Sequence, residues 1–110
     1  MRKEFRLRKS KDFKKVFKEG RRFSSPHFVL YIGKNTLPNA RFGISISKSH
    51  FKLATRRNRL RRIAKEVFRE KVSPNVEGYD FVVASRANYP MSHLNKAAEE
   101  LKELILRAKG

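Results

Sequence analysis

Apolar residues recur at Leu60, Ile63, Ala64, Val67 and Phe68, the i, i+3, i+4, i+7, i+8 spacing of one buried helical face. The pattern predicts a helix over residues 56–71. Phe13, Val16 and Phe17 make a shorter stripe of the same period, with Ser10 placed to cap it and Gly20 to end it after Glu19. Leu94, Ala97, Ala98, Leu101, Leu104, Ile105 and Ala108 track a third apolar face, on a helix that Ser92 can cap. Between these segments the period changes to two. Phe28, Leu30 and Ile32 alternate with Val29 and Tyr31, and Phe42, Ile44 and Ile46 alternate with Gly43, Ser45 and Ser47. Tyr79 to Ser85 is the most strand-like run, apolar enough for a central place in a sheet. Turn chemistry fills residues 33–39, and Ser73-Pro74-Asn75 with Gly78 separates the long helix from that strand.

The order is therefore α-β-β-α-β-α, with room for one further short strand near residues 21–24. Helices interleaved with strands, each apolar on one face, imply an α/β chain folded as a two-layer α/β sandwich. The 110 residues suit a single domain, 1–110, with residues 1–9 as a flexible basic arm.

The polar positions change the picture. Asn58, Arg62, Lys65 and Arg69 share a narrow arc opposite the apolar face of the long helix. Cations four residues apart repel and weaken an isolated helix, so a helix that keeps them aligned is shaped for a polyanion. The net charge of +18 is also unevenly placed. Residues 1–22 hold 11 Lys and Arg against 3 acids, residues 48–71 hold 10 against 2, and residues 72–110 hold 5 against 5. Networks of paired charge would balance the two signs. One cationic side on a neutral base is instead the footprint of a nucleic-acid binder. Asn58 adds an amide that can read a phosphate, sugar or base edge. Arg57, three residues before Leu60, points along the apolar face and past it over the sheet. Tyr31, beside the small residues Gly43, Ser45 and Ser47, can line an uncovered sheet face, and with Phe13 and Phe17 it would make a stacking groove for single-stranded nucleic acid.

Other chemistries find little support. There is no cysteine for a disulfide, thiolate site or nucleophile. His27, His50 and His93 lack metal-ligand spacing, and Asp12 and Asp80 are the only aspartates. A metal-dependent nuclease needs converging carboxylates, so neither a catalytic residue nor a metal site is expected on the chain. No apolar run approaches the ~20 residues that span a bilayer, and the basic N-terminus lacks the apolar stretch of a signal peptide, so a soluble cytoplasmic protein is expected. Charge and pattern alone leave open a ribosomal-type RNA binder, a DNA-binding module and a stand-alone nuclease using a carboxylate such as Asp80.

The run Ala54-Thr55-Arg56-Arg57-Asn58-Arg59-Leu60-Arg61-Arg62-Ile63, followed by Glu66-Val67-Phe68-Arg69, resembles the signature of the bacterial ribonuclease P protein subunit. Arg41-Phe42-Gly43-Ile44-Ser45-Ile46-Ser47-Lys48, Asp12-Phe13-Lys14-Lys15-Val16-Phe17-Lys18-Glu19-Gly20 and Phe28-Val29-Leu30-Tyr31 resemble it too, in the same order. The resemblance implies a left-handed βαβ crossover, against the general right-handed rule. It implies an RNA-binding subunit that assists a catalytic RNA in removing the 5′ leader of precursor tRNA. On that likeness Mg²⁺ is bound mainly by the RNA subunit and substrate, and the partners are ribonuclease P RNA and precursor tRNA, with no membrane and no protein partner required. Carried over by position, Phe13, Phe17, Tyr31, Lys48 and Arg57 would line the leader cleft. Arg56, Asn58, Arg59, Arg61, Arg62, Lys65 and Arg69 would face the RNA subunit. Two departures limit the transfer. Phe51-Lys52-Leu53 stands where many members carry a glycine, and the last helix has no aromatic after Tyr89.

Overall fold

The computed structural model describes residues 5–47, 52–72, 78–86, 94 and 96–109. Its elements run α1 (Ser10–Glu19), β1 (Arg21–Ser24), β2 (Phe28–Lys34), β3 (Arg41–Ser45), α2 (Ala54–Lys71), β4 (Tyr79–Ser85) and α3 (Ala97–Lys109). The extra short strand is thus present as β1. The sheet order is β1-β2-β4-β3. The two pairings β1–β2 and β2–β4 are antiparallel, whereas β3 and β4 are parallel and joined through α2, the connection that parallel neighbours require.

Alternation along the strands sorts the side chains. Phe28, Leu30, Phe42, Phe81 and Val83 face α2 and α3, where they bury against Leu60, Ala64, Val67, Phe68, Leu101, Leu104 and Ile105. Phe68 sits at the centre. Its ring stacks on Phe42 at 4.7 Å and meets Phe81 edge-on at 5.6 Å, geometries that add to area burial. Sheet and paired helices make the two layers of the expected α/β sandwich, to which α1 adds cover on the other face. Across the sheet, α1 packs on the opposite face, where Val16, Leu7 and Val82 bury with Phe13 and Tyr31 beside them.

Several details differ from the pattern reading. Ser10 does not cap α1. It is the first helical residue, and Lys9 holds the cap position with extended backbone and no side-chain bond. Gly20 follows the helix in extended, not left-handed, conformation. Its role is close approach: a Cβ there would stand 2.5 Å from the Val16 carbonyl oxygen and 3.0 Å from that of Ile32. The strand predicted over 41–47 ends at Ser45, although Ile46 still packs on the core. The arm expected at residues 1–9 is anchored along its second half. Leu7 is buried and donates its backbone N–H to the Phe42 carbonyl at 2.9 Å. Ser92, predicted as a cap, lies outside the described residues.

Two polar clusters fasten the periphery. Asp80, buried at 4% exposure, accepts from Arg41 Nε at 2.9 Å and Nη2 at 2.8 Å and from Asn35 Nδ2 at 2.7 Å. Arg41 also reaches Asp12 on α1 at 3.5 Å. The hydrogen bonds to Asp80 raise the Arg41 pKa against the opposing effect of burial. At the other end, Glu100 on α3 accepts from the Ser25 hydroxyl and, at 2.9 Å, from the His27 backbone N–H, with the His27 ring Nδ1 at 2.8 Å. Burial pushes the Glu100 carboxyl up, but the bonds from Ser25 and His27 outweigh it and hold the group below the ordinary carboxylate value. No helix among the described residues is long and apolar enough to cross a membrane.

Asp80 is the buried member of its bidentate pair, and removing it leaves Arg41 with only the 3.5 Å contact to Asp12 and takes from Asn35 its 2.7 Å acceptor. Asp80→Ala is therefore expected to cost about 3 kcal/mol in urea unfolding. A loss no larger than an exposed pair gives, about 0.5 kcal/mol, would refute the assignment. Because the Glu100 pKa is lower folded than unfolded, its stabilisation is present above the ordinary carboxylate range and lost as pH falls through the folded value. Glu100→Gln should lower the urea midpoint at neutral pH, with the gap to the parent closing below about pH 4. A gap independent of pH would show that the charge is not its source.

Candidate nucleic-acid interface

Strand register builds the site from rows. Arg22, Tyr31, Val82 and Gly43 lie side by side across the sheet on the α1 face. The next row is Ser24, Val29, Ala84 and Ser45. Helix α1 lies over the first row. The Phe13 ring covers Gly43 so closely that a Cβ there would stand 2.6 Å from Phe13 Cζ. Phe17 meets Tyr31 edge-on at 4.8 Å and lies 6.3 Å from the Phe13 ring.

The three aromatics picked from sequence thus form one continuous wall, and Phe17 is its most open member at 39% exposure. Gly43 corrects the expectation of an open floor. It is roofed by Phe13 and Leu7. The shallow floor is the second row instead, where Ser24 and Ser45 are exposed and Ala84 is half-buried.

Helix α2 supplies the charge. Its apolar face is spent on the core, through Leu60, Ala64, Val67 and Phe68. Asn58, Arg59, Arg62 and Arg69 are exposed, and Arg56, Arg57, Arg61 and Lys65 are half-buried. Arg57 donates to the Lys52 carbonyl oxygen at 3.1 Å. Arg61 donates to Asn58 Oδ1 at 3.1 Å, which leaves the Asn58 amide nitrogen to face outward as a donor. The first turn contains Arg56 and Arg57 and no acid, the reverse of what the helix dipole favours. Among the described residues, none of Arg56, Arg59, Arg61, Arg62, Lys65 and Arg69 joins an ion pair. The acid Glu70 turns instead to Lys71 and to Lys102 of α3.

Lys65 ties the two features together. It lines a small cavity of about 110 Å³ with Arg6, Leu7, Phe13 and Gly43, so the cationic helix and the aromatic wall meet at the β3 edge. Lys48 lies outside the described residues.

Pattern reading missed Arg22 and Arg6. Arg22 is the cross-strand neighbour of Tyr31, and Arg6 reaches the β3 edge through a bridge to Phe42. Both depend on which strands are neighbours, and alternation along one strand does not carry that information. It also left Asp12 and Asp80 as loose carboxylates. Both are taken up by Arg41, which makes their surroundings those of an ion pair, not of a cation site. Among the described residues no group of three or more His, Asp or Glu side chains could hold a metal ion.

Comparison with known proteins is consistent along the chain. A family model described as Ribonuclease P matches residues 1–109. The ribonuclease P protein component of Clostridioides difficile is 39% identical over 105 residues, covering 92% of this chain and 89% of its own length. That of an Exiguobacterium species is 37% identical over 109 residues, covering 99% and 94%. Among solved structures, the Staphylococcus aureus RNase P protein superposes with a TM-score of 0.83 at 27% identity, over 96% of this chain and 95% of that one. The Thermotoga maritima RNase P protein does so with a TM-score of 0.76 at 33% identity, over 96% and 98%.

Proposed function

The chain belongs to the ribonuclease P protein family, and from that membership we propose that it is the RNA-binding subunit of an endoribonuclease that removes the 5′ leader of precursor tRNA. Its partners are then ribonuclease P RNA and precursor tRNA, in the cytoplasm, with no further protein needed. The hydrolysis belongs to the RNA subunit. On the same family likeness, Mg²⁺ is held there and on the substrate. The chain's own contribution is to bind and position.

The Phe17–Tyr31 contact carries this reading. Two rings 4.8 Å apart, one of them 39% exposed, stand over a shallow floor beside a strongly cationic helix. Unpaired bases can stack on such a wall while their phosphates meet cations, each stacked base contributing ~1–3 kcal/mol. The single-stranded tRNA leader is the ligand for this groove, with Phe13, Phe17 and Tyr31 at its wall, and the family resemblance assigns Arg57 and Lys48 to the same contact. A leader held there adds to substrate affinity, and through it to the affinity of Mg²⁺ for the assembled complex. The outer arc of α2, Arg56, Asn58, Arg59, Arg61, Arg62, Lys65 and Arg69, takes the RNA subunit.

Leader cleavage at low Mg²⁺ tests the assignment, with protein alone, bacterial ribonuclease P RNA alone, and both. Cleavage in the combination only is expected, and cleavage by protein alone would return the chemistry to this chain. In the assembled enzyme, Phe17→Ala should weaken binding of leader-bearing precursor by about tenfold, within the range for one stacked base, while binding of mature tRNA changes little. An equal loss for both would remove Phe17 from the leader path. Arg62→Ala should weaken assembly with the RNA subunit and lower the slope of log K against log salt by about 1. An unchanged slope would place Arg62 away from phosphate.

A further inference from the structure

Helix α1 lies across the sheet like a bar, and the leader groove uses one flank of it. Lys15 is two residues before Phe17, about 200° away on the helix, and so faces the other flank. At that end of the sheet, where β1 starts, β2 ends and β4 starts, a second cavity of about 420 Å³ wraps round the strand ends: Lys15, Glu19 and Gly33 line it from the α1 side, and Arg21, Lys34 and Tyr79 from strand positions that alternate to the other face. We propose that this cavity binds one unpaired nucleotide of an RNA partner, its phosphate on Lys15, Arg21 and Lys34 and its base on Tyr79, as a second RNA contact separate from the leader groove. The proposal rests on the RNA-binding reading above but on none of the residues used for it.

Charge, shape and rigidity each support this occupant. Three cations face a single acid, Glu19, and among the described residues none of the four joins an ion pair. Tyr79 is one of the few large apolar side chains left open, at 39% exposure, and Lys34 is its direct cross-strand partner. The pieces are held before any ligand arrives. The Arg21 guanidinium rests 5.1 Å above the Phe23 ring. Gly78, at φ +77°, accepts the Asn35 backbone N–H at 2.8 Å and so fixes the start of β4 just before Tyr79. Val16 of α1 packs over Gly33, 3.4 Å from where a Cβ would stand, and holds that wall in place. An acidic peptide would satisfy the cations but would have no use for an open aromatic ring among them. A nucleotide uses both.

The chain has no tryptophan, so Tyr79→Trp places a single indole in the cavity. The variant is titrated in separate arms with ribonuclease P RNA and with precursor tRNA, while fluorescence anisotropy of the labelled RNA reports binding independently. Quenching of the indole in one arm identifies which RNA supplies the nucleotide. Adding Phe17→Ala should leave that quenching unchanged. Lys15→Ala with Lys34→Ala, made in the parent chain so that folding of the indole variant is not at issue, should lower the slope of log K against log salt by about 0.7 for that RNA, the value for one single-strand phosphate contact. RNA that binds without quenching, or with an unchanged slope in the double variant, overturns this site and leaves the family function standing. Failure of both RNAs to bind the parent chain would overturn the function itself.

Discussion

The clasp of Arg41 on Asp80 decides where α1 lies, and the position of α1 decides what this face of the protein can do. A bidentate guanidinium–carboxylate pair has one good geometry, and here Asn35 completes the shell of Asp80 while Asp12 of the helix takes the remaining reach of Arg41. Burial of Asp80 makes the pair unforgiving, because its carboxylate cannot fall back on water. With Asp12 drawn to that corner, Val16 drops onto Gly33, Phe13 onto Gly43 and Phe17 against Tyr31. Glycine at 43 is what lets the helix descend so far, since a Cβ there would meet the Phe13 ring at 2.6 Å. An amphipathic helix of ten residues with no capping side chain would be marginal by itself. It is ordered by what it lands on.

A second constraint works against the first layer of stability. Helix α2 gives its apolar face to the core and presents mostly cations elsewhere, with arginines at the end where the dipole favours acids. The folded protein tolerates this because Phe68, between the rings of Phe42 and Phe81, anchors the helix from below. What remains is a surface whose self-repulsion is relieved when a polyanion arrives. Affinity for RNA and intrinsic helix stability are therefore opposed on the same eighteen residues.

Much of this was legible in the chain. The apolar periods located all three helices and three of the strands, because each element buries one face and the spacing records it. The fourth strand was expected only loosely, since Arg21–Ser24 is short and mostly exposed. Phe13, Phe17 and Tyr31 were readable as a group, and the structure brings them into contact. Their surroundings were not. That Gly43 is covered while Ala84 and Ser45 form the floor follows from β4 lying between β2 and β3, a matter of strand order that no single run of residues encodes. The same holds for Asp80. From sequence it was a lone carboxylate on a strand, and only the parallel register with Arg41 turns it into a buried clasp. Gly20 shows a subtler failure: a glycine after a helix suggests a left-handed turn, but here it is needed for the approach of two carbonyl oxygens.

Strand order also has a temporal side. β2 and β3 are successive in the chain yet never touch, because β4 is seated between them. A chain still being synthesised can zip β1 to β2 as a local hairpin, but beyond the short bridge from Arg6 to Phe42, β3 has no neighbouring strand until residues 79–85 have been made and α2 has swung across. Closing that long loop must precede any reward from the pairing, so the last strand to be made is the one that consolidates the sheet. The floor on which RNA would lie does not exist before then. The nascent protein carries its cationic stretches well ahead of the surface that organises them, and late insertion of β4 is the step that converts a sticky polycation into a selective one.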